Sequence, residues 1–490
     1  MWFLLNRIRI KPSKLSGYVK IPPSKSMAHR AIICASLSQG VSRISNIDFS
    51  DDIIATIEGM RSLGASIEIE NDVLIIDGTD FLKNKSQDNR DDKIINENSI
   101  KADSIEPRTI DCNESGSTLR FLVPISLVSR NYVKFIGRGN LGKRPLKTYY
   151  DIFDKQGIEY SFKDGEMDLT IDGALRGDVF QVKGNISSQF ISGLLFTLPL
   201  LEKDSKIVIT TNLESKGYID LTLDIIDKFG VVIVNNDYKE FIIKGGQSYK
   251  PTDYKVEGDY SQAAFFFSAG ALGNNVECLD LNVDSYQGDK ECIDILERMG
   301  AKLFSKSFDK KTIKEYSKDK VQNVYAIDDE NMFEKESIYE KIDISHIEGV
   351  EENILSIKGE KLKATVIDAS QCPDIIPVLT VVASLSEGET RVVNGERLRI
   401  KECDRLNAIC TELNKLGANI VELDNGLVIN GVKTLEGGTV YSHKDHRIAM
   451  SLAIASTMCK EEVILEEPDC VSKSYPAFWE DFKKLGGKIY

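Results

Sequence analysis

The stretch Ile53-Ile54-Ala55-Thr56-Ile57-Glu58-Gly59-Met60-Arg61-Ser62-Leu63-Gly64-Ala65-Ser66-Ile67-Glu68-Ile69-Glu70 runs from an apolar helical period, through a Leu-Gly stop, into β alternation. Apolar residues at a 3.6-residue period argue for a helix, strict alternation argues for a strand, and glycine past the last helical residue suits a C-cap. The same ending recurs at Gln156-Gly157, Phe229-Gly230, Met299-Gly300, Leu416-Gly417 and Leu485-Gly486. Successive glycines are about 93, 73, 70, 117 and 69 residues apart. A unit of roughly 70 residues is therefore repeated six times, and such a repeat sets the architecture before any single element does.

Working outward, each unit shows a Ser- or Asp-containing helix start, an apolar helix, a β-rich link, a second amphipathic helix and alternating strand residues, which is a βαβαββ order. In the first unit the helices are expected at Lys25 to Leu37 and Asp51 to Leu63, with strands near Ser66 to Glu70 and Val73 to Ile76. Two units are overlong. The first excess, around Phe81 to Arg108, has no apolar period and reads as a solvated loop. The second, roughly Ser305 to Glu360, is also rich in Lys, Asp and Glu, with Tyr325, Met332, Phe333 and Tyr339 available to give it some structure. A chain of 490 residues exceeds what one core usually serves, so six units fall naturally into two domains.

Apolar content of 42% and charged content of 28% are ordinary globular values. The run Trp2-Phe3-Leu4-Leu5 is too short for a signal-peptide core or a membrane span. The nine cysteines form no C-x-x-C pair and are odd in number, which favours free thiols in a reducing compartment; the cytoplasm is the expected location. A net charge of -14 supplies no overall positive field to draw a nucleic-acid backbone. A local basic pocket is still allowed.

Such a pocket is suggested by cations at the wrong ends of helices. Helix amino termini carry partial positive charge and favour Asp or Glu. Here Lys25 and Arg30 open the first unit, Arg120 follows Gly116-Ser117-Thr118, Lys401 and Arg405 are read as starting the helix that ends at Leu416, and Arg447 follows Asp445-His446. Free backbone N–H groups, a helix dipole and a cation together bind phosphate or carboxylate. Lys401 and Arg405, at i and i+4, would repel on a bare helix, and an anion between them reverses the sign. Asp374 and Glu402 among these cations weaken a simple anion trap and suit proton transfer, which points to an enzyme.

These residues fall in motifs: Pro23-Ser24-Lys25-Ser26, Ser117-Thr118-Leu119-Arg120, Lys143-Arg144-Pro145, Ser187-Ser188-Gln189-Phe190, Ser215-Lys216-Gly217-Tyr218-Ile219-Asp220, Glu257-Gly258-Asp259, Pro373-Asp374, Lys401-Glu402-Cys403-Asp404-Arg405-Leu406, Asp445-His446-Arg447 and Ser472-Lys473. In this order, nearly end to end, the set resembles the 5-enolpyruvylshikimate-3-phosphate synthase family of enolpyruvyl transferases. The resemblance implies an α/β fold of two lobes, each an inside-out α/β barrel of three βαβαββ repeats. Residues 1–23 and 258–490 would form one lobe and residues 24–257 the other, with the active site in the cleft between them and closure on substrate. It also implies transfer of the enolpyruvyl group of phosphoenolpyruvate to the 5-hydroxyl of shikimate-3-phosphate, by addition and elimination through a tetrahedral intermediate. That is a step of the shikimate pathway to aromatic amino acids and the target of the inhibitor glyphosate.

Carried over by motif, Lys25, Ser26, Arg30, Ser187, Ser188, Gln189, Ser215, Tyr218, Asp374 and Lys401 would contact shikimate-3-phosphate. Lys25, Gly116, Arg144, Gln189, Arg405, Arg447 and Lys473 would hold phosphoenolpyruvate, and Asp374, Glu402, Lys401 and Lys25 would share the catalytic work. Asp374 is assigned the hydroxyl proton and Glu402, with Lys401, the methyl proton. No metal, cofactor, nucleic acid or membrane is expected, and the chain is expected to act as a monomer. The pattern departs from the family at Glu114-Ser115-Gly116-Ser117, where Asn-Ala-Gly-Thr is usual, and at Phe121, where Pro is common. Glu114 is therefore expected to turn away or pair with a neighbouring Arg.

Three alternatives stand beside this reading. The UDP-N-acetylglucosamine enolpyruvyl transferases share the fold but use a loop cysteine; Cys112 is nearest by position yet precedes the helix start. A silent phosphometabolite-binding protein would not need Asp374 and Glu402. A metal-dependent hydrolase would have only the close pair His443 and His446 among four histidines (29, 346, 443 and 446), without an H-E-x-x-H motif. His446 is instead expected to orient groups in the site.

Overall fold

The computed structural model describes residues 6–81, 106–129, 131–308 and 352–490. The run Trp2 to Leu5 and most of both inserts lie outside the described residues. The second insert leaves from the tip of an antiparallel strand pair, Lys302–Phe308 with Glu352–Lys358. The described residues form six four-stranded sheets, and each has the same topology. In the second unit the spatial order is Arg108–Asp111, Asn131–Ile136, Asp168–Gly173, Glu159–Phe162; the first pair is parallel and the others antiparallel. This is the βαβαββ order, with the fourth strand returning between the second and third.

The repeated glycines explain how each unit turns. Gly64, Gly157, Gly230, Gly300, Gly417 and Gly486 all have φ between 69° and 105°, the left-handed region that glycine enters without a Cβ clash. Each reverses the chain from the second helix into the third strand. In the first unit the helices are Lys25–Ser36 and Asp51–Ser62 and the hairpin strands Ser66–Glu70 and Val73–Asp77.

The two helices of a unit differ in burial. The first is enclosed: every residue of Tyr260–Ala271 and of His446–Ser456 is buried. The second is amphipathic, as in Glu291–Arg298, where Cys292, Ile293, Ile295 and Leu296 are the buried residues. Three enclosed helices ringed by amphipathic helices and sheets make each barrel inside-out. The apolar side chains divide into two cores, one spanning Met27 to Val256 and one combining Ile10 to Ile21 with Tyr260 to Leu485. Among the described residues no helix is long and apolar enough to cross a membrane.

Two strands are exchanged between the halves. Ser16–Lys20 leads into the helix Lys25–Ser36 yet pairs with Asn275–Leu279, while Tyr254–Lys255 leads into Tyr260–Ala271 yet pairs with Val41–Ser45. Arg7–Lys11 lies between Val463–Glu466 and Lys488–Ile489 and completes the sixth sheet. The two crossings run side by side, with a bridge between Pro23 and Gly258 and a bond from Ser24 N to Glu257 O at 2.7 Å.

The helix expected to begin at Lys401 begins instead at Arg405, because Asp404 caps it by accepting from Asn407 N. Lys401 ends the preceding 3-10 turn Glu396–Ile400, so Lys401 and Arg405 are not one helical turn apart on a shared face.

Candidate active site

All six enclosed helices point their amino termini at one cleft. Its lining includes Lys25, Ser26 and Arg30, then Gly116, Ser117 and Arg120, then Ser188 and Gln189, then Asp259, Asp374, His446 and Arg447, from six successive helix starts. None of these helices carries an acid in its first turn. Helix dipoles and their accompanying cations thus converge on the cleft from both cores, which favours a multiply anionic ligand. The caps are polar: Ser115 and Ser187 accept from Thr118 N and Gln189 N, and Asp445 accepts from Arg447 N.

The cleft wall built from residues 24–257 is held mainly by neutral partners. Arg30 donates to Thr222 Oγ1 at 2.8 Å and to the carbonyls of Ser26 and Tyr218, and its guanidinium lies 5.2 Å from the Phe121 ring centroid. Phe121, in place of the usual proline, is thus a platform for Arg30. Arg120 Nη1 donates to Gln189 Oε1 at 2.7 Å, and Gln189 Nε2 donates to Ser117 Oγ at 2.9 Å. Gly116 leaves room beside them: a Cβ there would sit 2.7 Å from Arg144 Nη1 and 3.1 Å from Arg120 Nη1. Two cations of this wall have carboxylate partners: Lys25 is paired with Asp52 at 2.7 Å, its backbone N donating to Asp259, and Arg144 reaches across to Glu402.

The opposite wall is an ion network. Arg405, 1% exposed, bonds Asp445 Oδ2 at 2.8 Å, Asp374 Oδ1 at 2.8 Å and Glu402 Oε2 at 2.7 Å. Lys401 reaches Asp374 Oδ1 at 3.1 Å, and Arg447 lies 3.6 Å from Asp374 Oδ2. Across the cleft, Arg144 stands 3.3 Å from Glu402 Oε1. Burial alone would raise the Asp374 carboxyl, but Lys401, Arg447 and Arg405 hold it well below the usual carboxylate range. Burial likewise opposes ionisation of Glu402, and Arg405, Arg144 and Lys473 outweigh it. Both carboxylates are ionised.

Most of the residues singled out in the sequence meet in this cleft, including Ser187, Ser215, Tyr218, Lys401 and Glu402. Lys473 stands behind it, 3.7 Å from Glu402 and 3.3 Å from Glu114. Glu114 therefore pairs with a lysine from the other wall rather than with a neighbouring arginine. His446 lines the cleft; neither ring nitrogen has a hydrogen-bond partner among the described residues, and burial beside Lys25 and Arg447 keeps the ring neutral. Burial also pushes the Cys112 thiol up, which makes it a poor nucleophile. Among the described residues no group of His, Cys, Asp and Glu is arranged to hold a metal.

Sequence reasoning marked Arg120 as a helix-start cation without assigning it to either substrate, and gave no role to Arg397, Asp52 or Asp289. Arg397 crosses to the other wall, donating to Ser215 Oγ at 2.9 Å, and Asp289 accepts from Tyr218 Oη at 3.0 Å. Neither contact leaves a local trace in the sequence.

The fold is that of the enolpyruvyl transferases: the structure is similar to an EPSP synthase from Acinetobacter baumannii, with a TM-score of 0.72 and 22% identity, covering 99% of this chain and 100% of that one. It is also similar to the enolpyruvyl transferase NikO from Streptomyces tendae, with a TM-score of 0.69 and 15% identity over 99% and 98% of the two chains. The sequence matches the family described as EPSP synthase (3-phosphoshikimate 1-carboxyvinyltransferase) over residues 10–334 and 334–482. It is 64% identical over 483 residues to the 3-phosphoshikimate 1-carboxyvinyltransferase of Clostridium perfringens, covering 99% of both chains. It is 58% identical over 487 residues to that of Clostridioides difficile, covering 99% and 98%. The chain belongs to the EPSP synthase family.

Proposed function

We infer that the chain transfers the enolpyruvyl group of phosphoenolpyruvate to the 5-hydroxyl of shikimate-3-phosphate and releases phosphate, in the route to chorismate and the aromatic amino acids. The observation that carries this reading, beyond family membership, is the convergence of six helix amino termini and their cations on a cleft that also holds two ionised carboxylates. A passive anion binder gains nothing from those carboxylates. An enzyme that must move protons between two anionic substrates does.

Ser26, Arg30, Ser187, Ser188, Ser215, Tyr218 and Lys401 receive shikimate-3-phosphate, with its 5-hydroxyl against Asp374. Lys25 and Gln189 lie between the two substrates. Gly116, Arg144, Arg405, Arg447 and Lys473 take the phosphate and carboxylate of phosphoenolpyruvate. Arg144, Arg405 and Lys473 are also the charges that keep Glu402 ionised. When phosphoenolpyruvate draws them onto its own anionic groups, the Glu402 carboxyl gains proton affinity, so the acid that protonates C3 is prepared by the substrate that needs it. Asp374 takes the hydroxyl proton as O5 attacks C2, and the tetrahedral ketal phosphate then loses phosphate.

The lobes divide near Pro23 and Gly258, a reading supported by the two separate cores and the adjacent crossings. The proposed enzyme acts as a monomer in the cytoplasm, a location that fits nine cysteines of which none is in a disulfide. Phosphate release measured with each substrate omitted in turn tests the assignment. Release should require both substrates, and should not occur when a UDP-linked amino sugar replaces shikimate-3-phosphate. No release with the full pair would overturn it.

A further inference from the structure

Behind Asp374 lies a second carboxylate that the chemistry above leaves unused. Asp289 is 3% exposed, Ser261 Oγ donates to its Oδ2, and its Oδ1 has no hydrogen-bond partner. The hydroxyl of Tyr218 lies 3.0 Å from Asp289 Oδ2 and 3.0 Å from Asp374 Oδ2. One phenolic proton cannot be donated to both oxygens, so the three groups form a chain with two equivalent proton positions.

The chain is assembled by contact between the lobes. Tyr218 belongs to the helix Lys216–Lys228, whereas both carboxylates come from the other core. Gly217, which precedes Tyr218, meets Gly288, which precedes Asp289; a Cβ on Gly217 would lie 2.5 Å from Gly288 Cα. Only two glycines allow the backbones this close. Their approach sets the hydroxyl between the acids.

We propose that Asp289 is a positioning residue for enolpyruvyl transfer, holding, by way of Tyr218, the proton that Asp374 takes from the substrate hydroxyl. The step is a concerted shift. Asp374 passes its acquired proton to Tyr218 Oη as Tyr218 passes its own to Asp289 Oδ2, so one O–H bond breaks and one forms at the tyrosine. Asp374 is left ionised. The reverse shift supplies Asp374 with a proton when elimination needs one. The inference rests on the reading that Asp374 faces the 5-hydroxyl.

The electrostatics favour this direction. Asp374, beside Lys401, Arg447 and Arg405, is a poor resting place for a proton. Burial and the charge of Asp374 push Asp289 up to about 6, with Asp259 acting in the same sense and Arg447 and Ser261 opposing it. Burial beside the two acids raises the Tyr218 phenol well above its ordinary value, so it relays without ionising.

Turnover against pH, followed by phosphate release, tests the relay in the wild type, Asp289→Asn, Tyr218→Phe and the double variant. In the wild type, kcat should decline below about pH 6 as Asp289 becomes protonated before the reaction. Each single variant should lose roughly 10- to 100-fold in kcat, at or below the lower bound of what a group that touches the substrate contributes, with the KM for phosphoenolpyruvate unchanged and the acidic limb gone. The double variant should be no worse than the poorer single. Retention of the acidic limb in Asp289→Asn, or multiplied losses in the double variant, would overturn the relay. Should Asp289→Asn not fold, Tyr218→Phe decides alone, since it removes the bridging hydroxyl and keeps the ring. A wild type that releases no phosphate from the two substrates would fail the functional reading itself, before the relay is asked.

Discussion

The two walls of the cleft both present arginines and lysines to the ligand, yet they manage the charge in opposite ways. On the wall from residues 24–257, Arg30 and Arg120 are held by hydroxyls, carbonyls and an amide. On the facing wall, Arg405 is shared among Asp374, Glu402 and Asp445. Uncompensated cations attract anions directly. Compensated ones fix carboxylates in place and keep them ionised. The residue type alone therefore does not tell what a cation does; its buried company does.

The largest test of this contrast is Arg405→Ala. It strips three carboxylates of a shared buried partner, and breaking such a pair typically costs about 3–5 kcal/mol. Denaturant unfolding should show that loss together with absent turnover. Next, Glu402→Gln should keep the fold and lower kcat by roughly 10²–10⁴, the usual contribution of a general acid or base. Because Arg144 and Lys473 lose a competitor, the KM for phosphoenolpyruvate should not rise in steady-state kinetics.

Arg120→Ala leaves no carboxylate unpaired, so its effect should fall on binding. A loss of about 2 kcal/mol, or roughly 30-fold in KM for phosphoenolpyruvate, is expected. Its unfolding midpoint should shift far less than that of Arg405→Ala. If the two variants destabilised the protein equally, the distinction between the walls would collapse.

The effect that discriminates least between the walls is one they share. Each carries a buried histidine at a helix start, His29 and His446, and burial lowers both, His29 to about 3. Unfolded histidines bind a proton near pH 6.5, and the folded ones only well below it. Between those limits the unfolded chain holds more protons, so stability falls as pH drops. The slope should approach about 1.4 kcal/mol per pH unit for each histidine. Unfolding midpoints from pH 7 to 5 should record it, and His29→Asn should remove about half.

What could be read from the sequence was whatever leaves a local mark. Gly64 and its five counterparts stood out because a left-handed C-cap selects glycine at the position itself. Lys25, Arg30 and Arg447 stood out because they oppose the local helix dipole. The helix that begins at Arg405 was started at Lys401 instead, because the capping role of Asp404 was not read from the sequence, which misplaced Lys401. The Lys25–Asp52 contact joins the two helices of one unit, the Tyr218–Asp289 and Arg397–Ser215 contacts are made between units, and no spacing along the chain encodes them.

The exchanged strands also order the events of synthesis. The sheet containing Val41–Ser45 lacks its edge strand until Tyr254–Lys255 has been made, after which the first core has all its parts. The strand Arg7–Lys11 emerges first but must wait for its partners Val463–Glu466 and Lys488–Ile489, whereas Ser16–Lys20 waits only for Asn275–Leu279. At about 5–20 residues per second, the interval is on the order of 10–50 s. The nascent chain therefore carries a finished first core and one unmatched strand past the ribosome exit, an interval in which that strand is the part most exposed to mispairing with another chain.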